Sequence, residues 1–158
     1  MPDIPIGFVG VGEHAEIFND YINNTAAGNY SHAEGYQTTA SGTGAHAEGY
    51  QTTALKDGAH AEGYSTTAEG TVAHAEGYGT GALGAYSHVE GYSTATISTA
   101  TAAHAEGEET QAQAPRAHAE GYHSIAAGEA SHAEGYMTST NASAAHSEGL
   151  GTQARGEA

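Results

Sequence analysis

The sequence contains no cysteine and no tryptophan, only two phenylalanines and two methionines, and only three basic residues, Lys56, Arg116 and Arg155. Each shortage excludes something. Without cysteine there is no disulfide framework, no thiolate metal site and no thiol nucleophile, and the redox compartment stays open. Three bases against nineteen acids give a formal net charge of -16, which argues against a surface that tracks nucleic-acid phosphates or binds an anionic membrane. No apolar run approaches the ~20 residues that cross a bilayer, and Met1-Pro2-Asp3-Ile4-Pro5-Ile6 has no basic region, so no signal peptide is visible. The sharpest shortage is of large apolar side chains. Burial yields only ~25 cal/mol per Å² of apolar area, and Gly and Ala offer little area, so an ordinary globular core is excluded. Low hydrophobicity with high net charge ordinarily gives disorder. Eleven His and ten Tyr argue against that default.

What the sequence does have is a repeat, the feature to seek before any local motif. His-x-Glu recurs at His14, His32, His46, His60, His74, His88, His104, His118, His132 and His146, with separations of 18, then 14 four times, then 16, then 14 three times. From His32 onward the chain reads as nine units of His-Ala-Glu-Gly-Tyr-x-Thr-x-Ala-x-Gly-x-x-Ala. A 14-residue unit is too short for helical or leucine-rich repeats. It matches one solenoid coil of two short strands and tight corners, since a strand advances ~3.3 Å per residue. The reading is an all-β solenoid, with an N-terminal cap and first irregular coil over residues 1–31 and a nine-coil roll over 32–158.

Strand parity assigns the faces. In the first strand of a unit the small residues, such as Ala45, Ala47 and Gly49, share one side, while His46, Glu48 and Tyr50 share the other. In the second strand Thr38, Ala40 and Gly42 and their copies stay small, and the residues between them vary freely. This predicts a thin roll with Ala, Gly and Thr inside, one irregular outer face and one face that repeats His, Glu and Tyr. So regular a face calls for an equally regular partner, and a symmetric copy of the chain is the simplest one.

The unit resembles the head repeat of YadA-like trimeric autotransporter adhesins, a 14-residue pattern of the Ser-Val-Ala-Ile-Gly type. Ser31-His32-Ala33-Glu34-Gly35 and its copies hold the matching places over residues 32–158. The His-Ala-Glu-Gly variant is also similar to repeats in tail-fibre or appendage proteins of bacteriophages and in related proteins of Gram-positive bacteria. The resemblance implies a left-handed parallel β-roll closed as a homotrimer, in which the Val and Ile positions face the threefold axis. Here that places His32, His46, His60, His74, His88, His104, His118, His132 and His146 at the trimer interface. Glu34, Glu48, Glu62, Glu76, Glu90, Glu106, Glu120, Glu134 and Glu148 accompany them. A polar interface is tolerated only when its members are paired, and His with Glu two residues on supplies imidazole–carboxylate partners. Such pairing predicts raised His pKa values in the assembly.

Other readings of these motifs rank lower. Ten copies of one acid–base pair without a companion nucleophile do not describe a catalytic centre, so no enzyme is expected. Threefold rings of imidazole with nearby carboxylates suit Zn, Ni or Fe, which makes a structural metal ion at the His rings the alternative of a different class; no other cofactor is expected. The Tyr column of Tyr36, Tyr50, Tyr64, Tyr78, Tyr92, Tyr122 and Tyr136 is read as rings stacked at a corner, ahead of a glycan-binding stripe. The Thr column from Thr38 to Thr152 imitates an ice-binding array, but parity turns it inward. Gly10-Val11-Gly12-Glu13-His14-Ala15 imitates a dinucleotide fingerprint without the βαβ unit that gives it meaning. Ile4, Ile6, Phe8, Val9, Ile17, Phe18, Tyr21 and Ile22 form the main bulky cluster and are read as covering the open end of the roll. His14-Ala15-Glu16 is read as an incipient coil, the unit from His88 to Ala103 should bulge by two residues, and the stop at Ala158 in mid-pattern suggests a chain that continues.

The expectation is a structural or adhesive head or shaft of a trimeric fibre on a virion or outside a cell. Its setting is a phage tail appendage meeting a host surface, or alternatively a bacterial adhesin head binding matrix protein or glycan. Its partners are itself and a cell-surface receptor, with no nucleic acid and no membrane insertion.

Overall fold

The computed structural model describes residues 12–18 and 23–156. The chain is an all-β parallel solenoid in which each coil contributes one strand to each of two sheets, the first of them longer, with five residues in most coils but two at His88–Val89 and His104–Ala105. The longer strands run from Glu16–Phe18 through His32–Tyr36 and His46–Tyr50 to His146–Leu150 and form one 10-stranded sheet. The shorter ones, from Thr25–Ala26 to Gln153–Ala154, form a second 10-stranded sheet. Because the period is constant, nearly every residue pairs with its own copy: His32 lies opposite His46, Ala33 opposite Ala47, Glu34 opposite Glu48, Gly35 opposite Gly49 and Tyr36 opposite Tyr50. Among the described residues no helix is long and apolar enough to cross a membrane.

The interior is as thin as the composition requires. Ala33, Ala47, Ala61 and Ala75 from the long strands and Ala40, Ala54, Ala68 and Ala82 from the short ones are each 0% exposed. The Thr column also points inward, with Thr38, Thr52 and Thr66 at 0%, so these methyl and hydroxyl groups build the core and offer no array to ice. The largest fully buried side chain is Val89. Where Thr replaces Ala in the short strand, a Ser stands ready beside it. Thr96 Oγ1 donates to Ser87 Oγ at 3.1 Å and Thr140 Oγ1 to Ser131 Oγ at 2.7 Å, so each extra buried hydroxyl arrives with its partner.

The corners carry the backbone strain. Residues just after the long strand, such as Gln37, Gln51 and Ser65, lie at φ 55, 55 and 54, and those before the next long strand, such as Tyr30, Val72 and Tyr86, at φ 58, 55 and 59. Each such residue other than glycine costs about 1–2 kcal/mol. Hydrogen bonds between coils offset that cost: Gln51 N donates to Tyr36 O at 2.7 Å and Val72 N to Asp57 O at 2.9 Å. The expected bulge in the unit from His88 is present, closed by Ala100 N donating to Ile97 O at 2.9 Å.

Two sequence expectations are corrected. The Gly that follows Glu in each unit is not interior filling: Gly49 and Gly63 are exposed and lie at φ 109 and 108. A Cβ on Gly63 would stand 2.2 Å from Gly77 O, so this column is glycine because the coils approach there in a left-handed conformation. His14-Ala15-Glu16 does not enter the ladder in the His-x-Glu register. Glu16 pairs with His32 and Ile17 with Ala33, which puts His14 at the corner, at φ 55, stacked on Tyr30 with ring centroids 5.2 Å apart. Packing selects this register: opposite Ala33, Ile17 is buried (4% exposed), whereas a His-x-Glu match would set it opposite Gly35, in the column where a Cβ meets the next coil's backbone. Of the proposed cap, Ile4, Ile6, Phe8, Val9, Tyr21 and Ile22 lie outside the described residues, as do Gly10 and Val11 of the dinucleotide-like stretch.

Candidate functional site

The outward face of the long-strand sheet is a ladder of constant columns. Strand alternation puts His and Glu on one side of each long strand, and in-register pairing stacks each on its copy. From His46 to His146 successive imidazoles lie nearly parallel with centroids 4.6–5.0 Å apart. The lowest step, His32 to His46, is edge-on at 75°. Tyr36, Tyr50, Tyr64, Tyr78 and Tyr92 form a second stack at the adjoining corner, with centroids 4.6–5.2 Å apart. It is interrupted at Glu108 and resumes with Tyr122 on Tyr136 at 4.9 Å.

Carboxylates flank the imidazoles without closing on them. His32 Nε2 hydrogen-bonds Glu34 Oε2 at 3.2 Å. Higher up, Nε2 lies 3.5 Å from Glu48 at His46, 3.8 Å from Glu62 at His60, and 3.5 Å from Glu120 and Glu134 at His118 and His132. At His88 the near carboxylate belongs to the coil below, Glu76 at 3.5 Å. Nε2 of His46, His60, His74, His88, His104, His118 and His132 is shielded from solvent yet makes no hydrogen bond. The expected imidazole–carboxylate hydrogen bonds are therefore met at His32 and left unmade in these seven within a single chain.

Within a single chain the electrostatics disfavour protonation at three of the rings. Burial first, and then the neighbouring imidazoles, hold His60 and His104 below the usual histidine range, outweighing the carboxylates that pull upward. His132 is lowered by burial and by His118, against Glu134. Burial in the stack is the larger cause, and the second is that a protonated ring would sit less than 5 Å from another imidazole. The raised values expected of the assembly require carboxylates that close on the rings, and within one chain Nε2 of these three residues makes no hydrogen bond.

The structure also assembles groups that sequence reasoning passed over. His123 and Glu109 meet across neighbouring coils at the corner after the long strand, Nε2 to Oε2 3.0 Å, and Arg116 pairs with Glu129. His123 and Glu109 hold equivalent positions of successive units, so there the period itself was the signal, whereas Arg116 and Glu129 are 13 residues apart and neighbouring corner positions bring them together. An open concavity at the first coil is lined by His14, Glu16, Tyr30, Ser31 and His32. Ser31 Oγ there donates to Gly28 O at 2.7 Å, which commits it to the backbone. Along the ladder, sets of three donor groups converge from adjacent coils, among them His118, Glu120 and His132, and His132, Glu134 and His146, with donor atoms within 4.8 Å of one another.

Fold and face together define a repeat protein of the parallel β-solenoid class whose distinguishing surface is an extended ladder of imidazole, carboxylate and phenol. A scan against protein-family models gives no match to this chain, and a search of the curated proteins gives none either.

Proposed function

We propose that this chain is a structural and adhesive head or shaft module of a homotrimeric fibre, with the ladder faces of three copies turned toward a common axis. The observation that supports this most is the contrast between the two outer faces. The His and Glu columns hold through nine successive units of the long-strand sheet, while the short-strand sheet presents Thr39, Thr53, Thr67, Gly81, Ala95, Gln111 and Ile125 in turn. A face that meets only water has no reason to be so constant, and imidazole nitrogens left without partners call for donors or acceptors from another surface. The YadA-like resemblance supports the same arrangement and a setting on a virion appendage or cell exterior, where the fibre meets a host or matrix surface.

Sedimentation equilibrium tests this reading. The wild-type chain should run at the mass of three copies. His74→Asp, which sets a third carboxylate between Glu62 and Glu76, should release single chains, and Thr67→Asp on the opposite face should leave the trimer intact. A wild-type chain that sediments as a monomer across the accessible concentration range would overturn the proposal.

A further inference from the structure

We propose that the ladder carries an intrachain binding site for a borderline divalent transition-metal ion such as Zn²⁺, formed by His118, Glu120 and His132 from two successive coils. The donor atoms of these residues lie within 4.8 Å of one another, with His118 Nε2 3.5 Å from the Glu120 carboxylate and the two imidazoles stacked at 4.6 Å. Tetrahedral zinc with bonds near 2.1 Å holds its ligands about 3.4 Å apart. Closing from the observed spacing asks each donor atom to shift by about 1 Å, and the two rings, now 5° from parallel, must also tilt out of the stack toward each other so that one ion lies in both ring planes.

Two further observations favour an ion at this place. Nε2 of both His118 and His132 is shielded from solvent and has no hydrogen-bond partner, so an ion would satisfy atoms that are now unsatisfied. No lysine or arginine occupies a ladder position, since Lys56, Arg116 and Arg155 all fall in other columns of the repeat, so nothing cationic from the chain competes for Glu120. Two imidazoles and a carboxylate are a donor set that zinc accepts, with a fourth position left to water or to another surface.

Three of the other converging sets along the ladder offer one imidazole and two carboxylates each, a harder donor set less suited to zinc. His132 serves equally in the neighbouring set with Glu134 and His146, but one Nε2 binds one ion, so the two sets exclude each other. The set at His118 wins because His146 is exposed and belongs to the outermost described long strand. All the ligands come from one chain, so this inference goes beyond the fibre reading and stands whether or not the chains associate.

The test is titration calorimetry with Zn²⁺ on the tag-free chain, with sedimentation run on the same samples and Co²⁺ absorption reporting the ligand field. One tight ion per chain is expected. His132→Asn and Glu120→Gln should each weaken that ion by tenfold or more while far-UV circular dichroism keeps its sheet signature. His14→Asn, at a corner outside the ladder, should change nothing. Wild-type affinity no greater than that of His132→Asn would overturn the site. So would loss of the ion in His123→Asn with retention in His132→Asn, which would move it to the corner pair with Glu109. If the ion is seen only in samples that sediment as trimers, the intrachain site is also wrong; a monomer that binds it would leave the site standing and remove the trimer.

Discussion

The two sheets close over the same interior and are built to different standards. Both supply Ala at 0% exposure to a shared core, so packing places the same demand on each. The long strands pair over five residues where the coils are regular, as between His46–Tyr50 and His60–Tyr64, while the short strands pair over two, as between Thr53–Ala54 and Thr67–Ala68. Outward, the long-strand sheet repeats its side chains and the short-strand sheet does not. The lesson is that the core needs only small residues at alternate positions, the Gly column answers to the close approach of the coils, and the constancy of His and Glu belongs to the outer face. The ladder even carries a cost in a single chain, since buried nitrogens without partners are unfavourable and His60, His104 and His132 are held below the usual histidine range.

The largest expected effect separates the sheets by their glycines. Gly63 lies in a long strand at φ 108, and a Cβ there meets Gly77 O at 2.2 Å. Gly81 lies in a short strand, and its Cβ meets only Leu83 Cδ2, at 3.9 Å. Gly63→Ala combines backbone strain with an overpacked contact and should cost about 3 kcal/mol or more in urea denaturation. Gly81→Ala should be neutral or stabilising by about 0.5–1 kcal/mol, because it removes the backbone entropy of glycine from a strand. Equal losses in the two variants would mean that the coils are not held closer along the long strands.

The second effect is that of pH. His60, His104 and His132 have folded pKa values below the unfolded value of about 6.5. A neutral ring is therefore favoured in the folded state. Stability should be fully present above about pH 6.5 and fall as the pH drops through the lowered folded values, because protons bind the unfolded chain first. Replacing all three by Gln should flatten the denaturation midpoint between pH 5 and 8. A midpoint that rises on acidification would instead show that carboxylates, from this chain or a partner, close on the rings and raise their pKa values.

Parity made the solenoid legible: Ala47 and Thr52 had to face in, and His46 and Glu48 had to face out, once the 14-residue period was seen. Gly49 was misread because a small residue has two uses, filling a narrow interior or taking a left-handed φ, and alternation alone cannot tell them apart. His14 was misread because a motif match ignores register, and the burial of Ile17 outweighs the resemblance of His14-Ala15-Glu16 to the later units. The ladder's columns were visible in the sequence, but its unmade hydrogen bonds were not. Whether Glu48 reaches His46 depends on a side-chain separation of 3.5 Å, which the spacing of letters does not encode.

The smallest effect lies at the corner where the short strand returns to the long one, which belongs to neither sheet and so tests how far their contrast extends. Successive coils place Gly44, Gly58 and Val72 there, at φ 64, 64 and 55. A β-branched residue is the least suited to that conformation, and Val72 is 54% exposed, so its side chain adds little burial in return. Val72→Gly removes about 1–2 kcal/mol of strain and adds about 0.5–1 kcal/mol of backbone entropy. The net gain should be below about 1 kcal/mol, read as a small rise in denaturation midpoint with an unchanged m-value. A loss of stability would show that the isopropyl group, in reach of a Cβ at Gly58 at 3.4 Å, covers the coil below it and that the corners too are selected for what they bury.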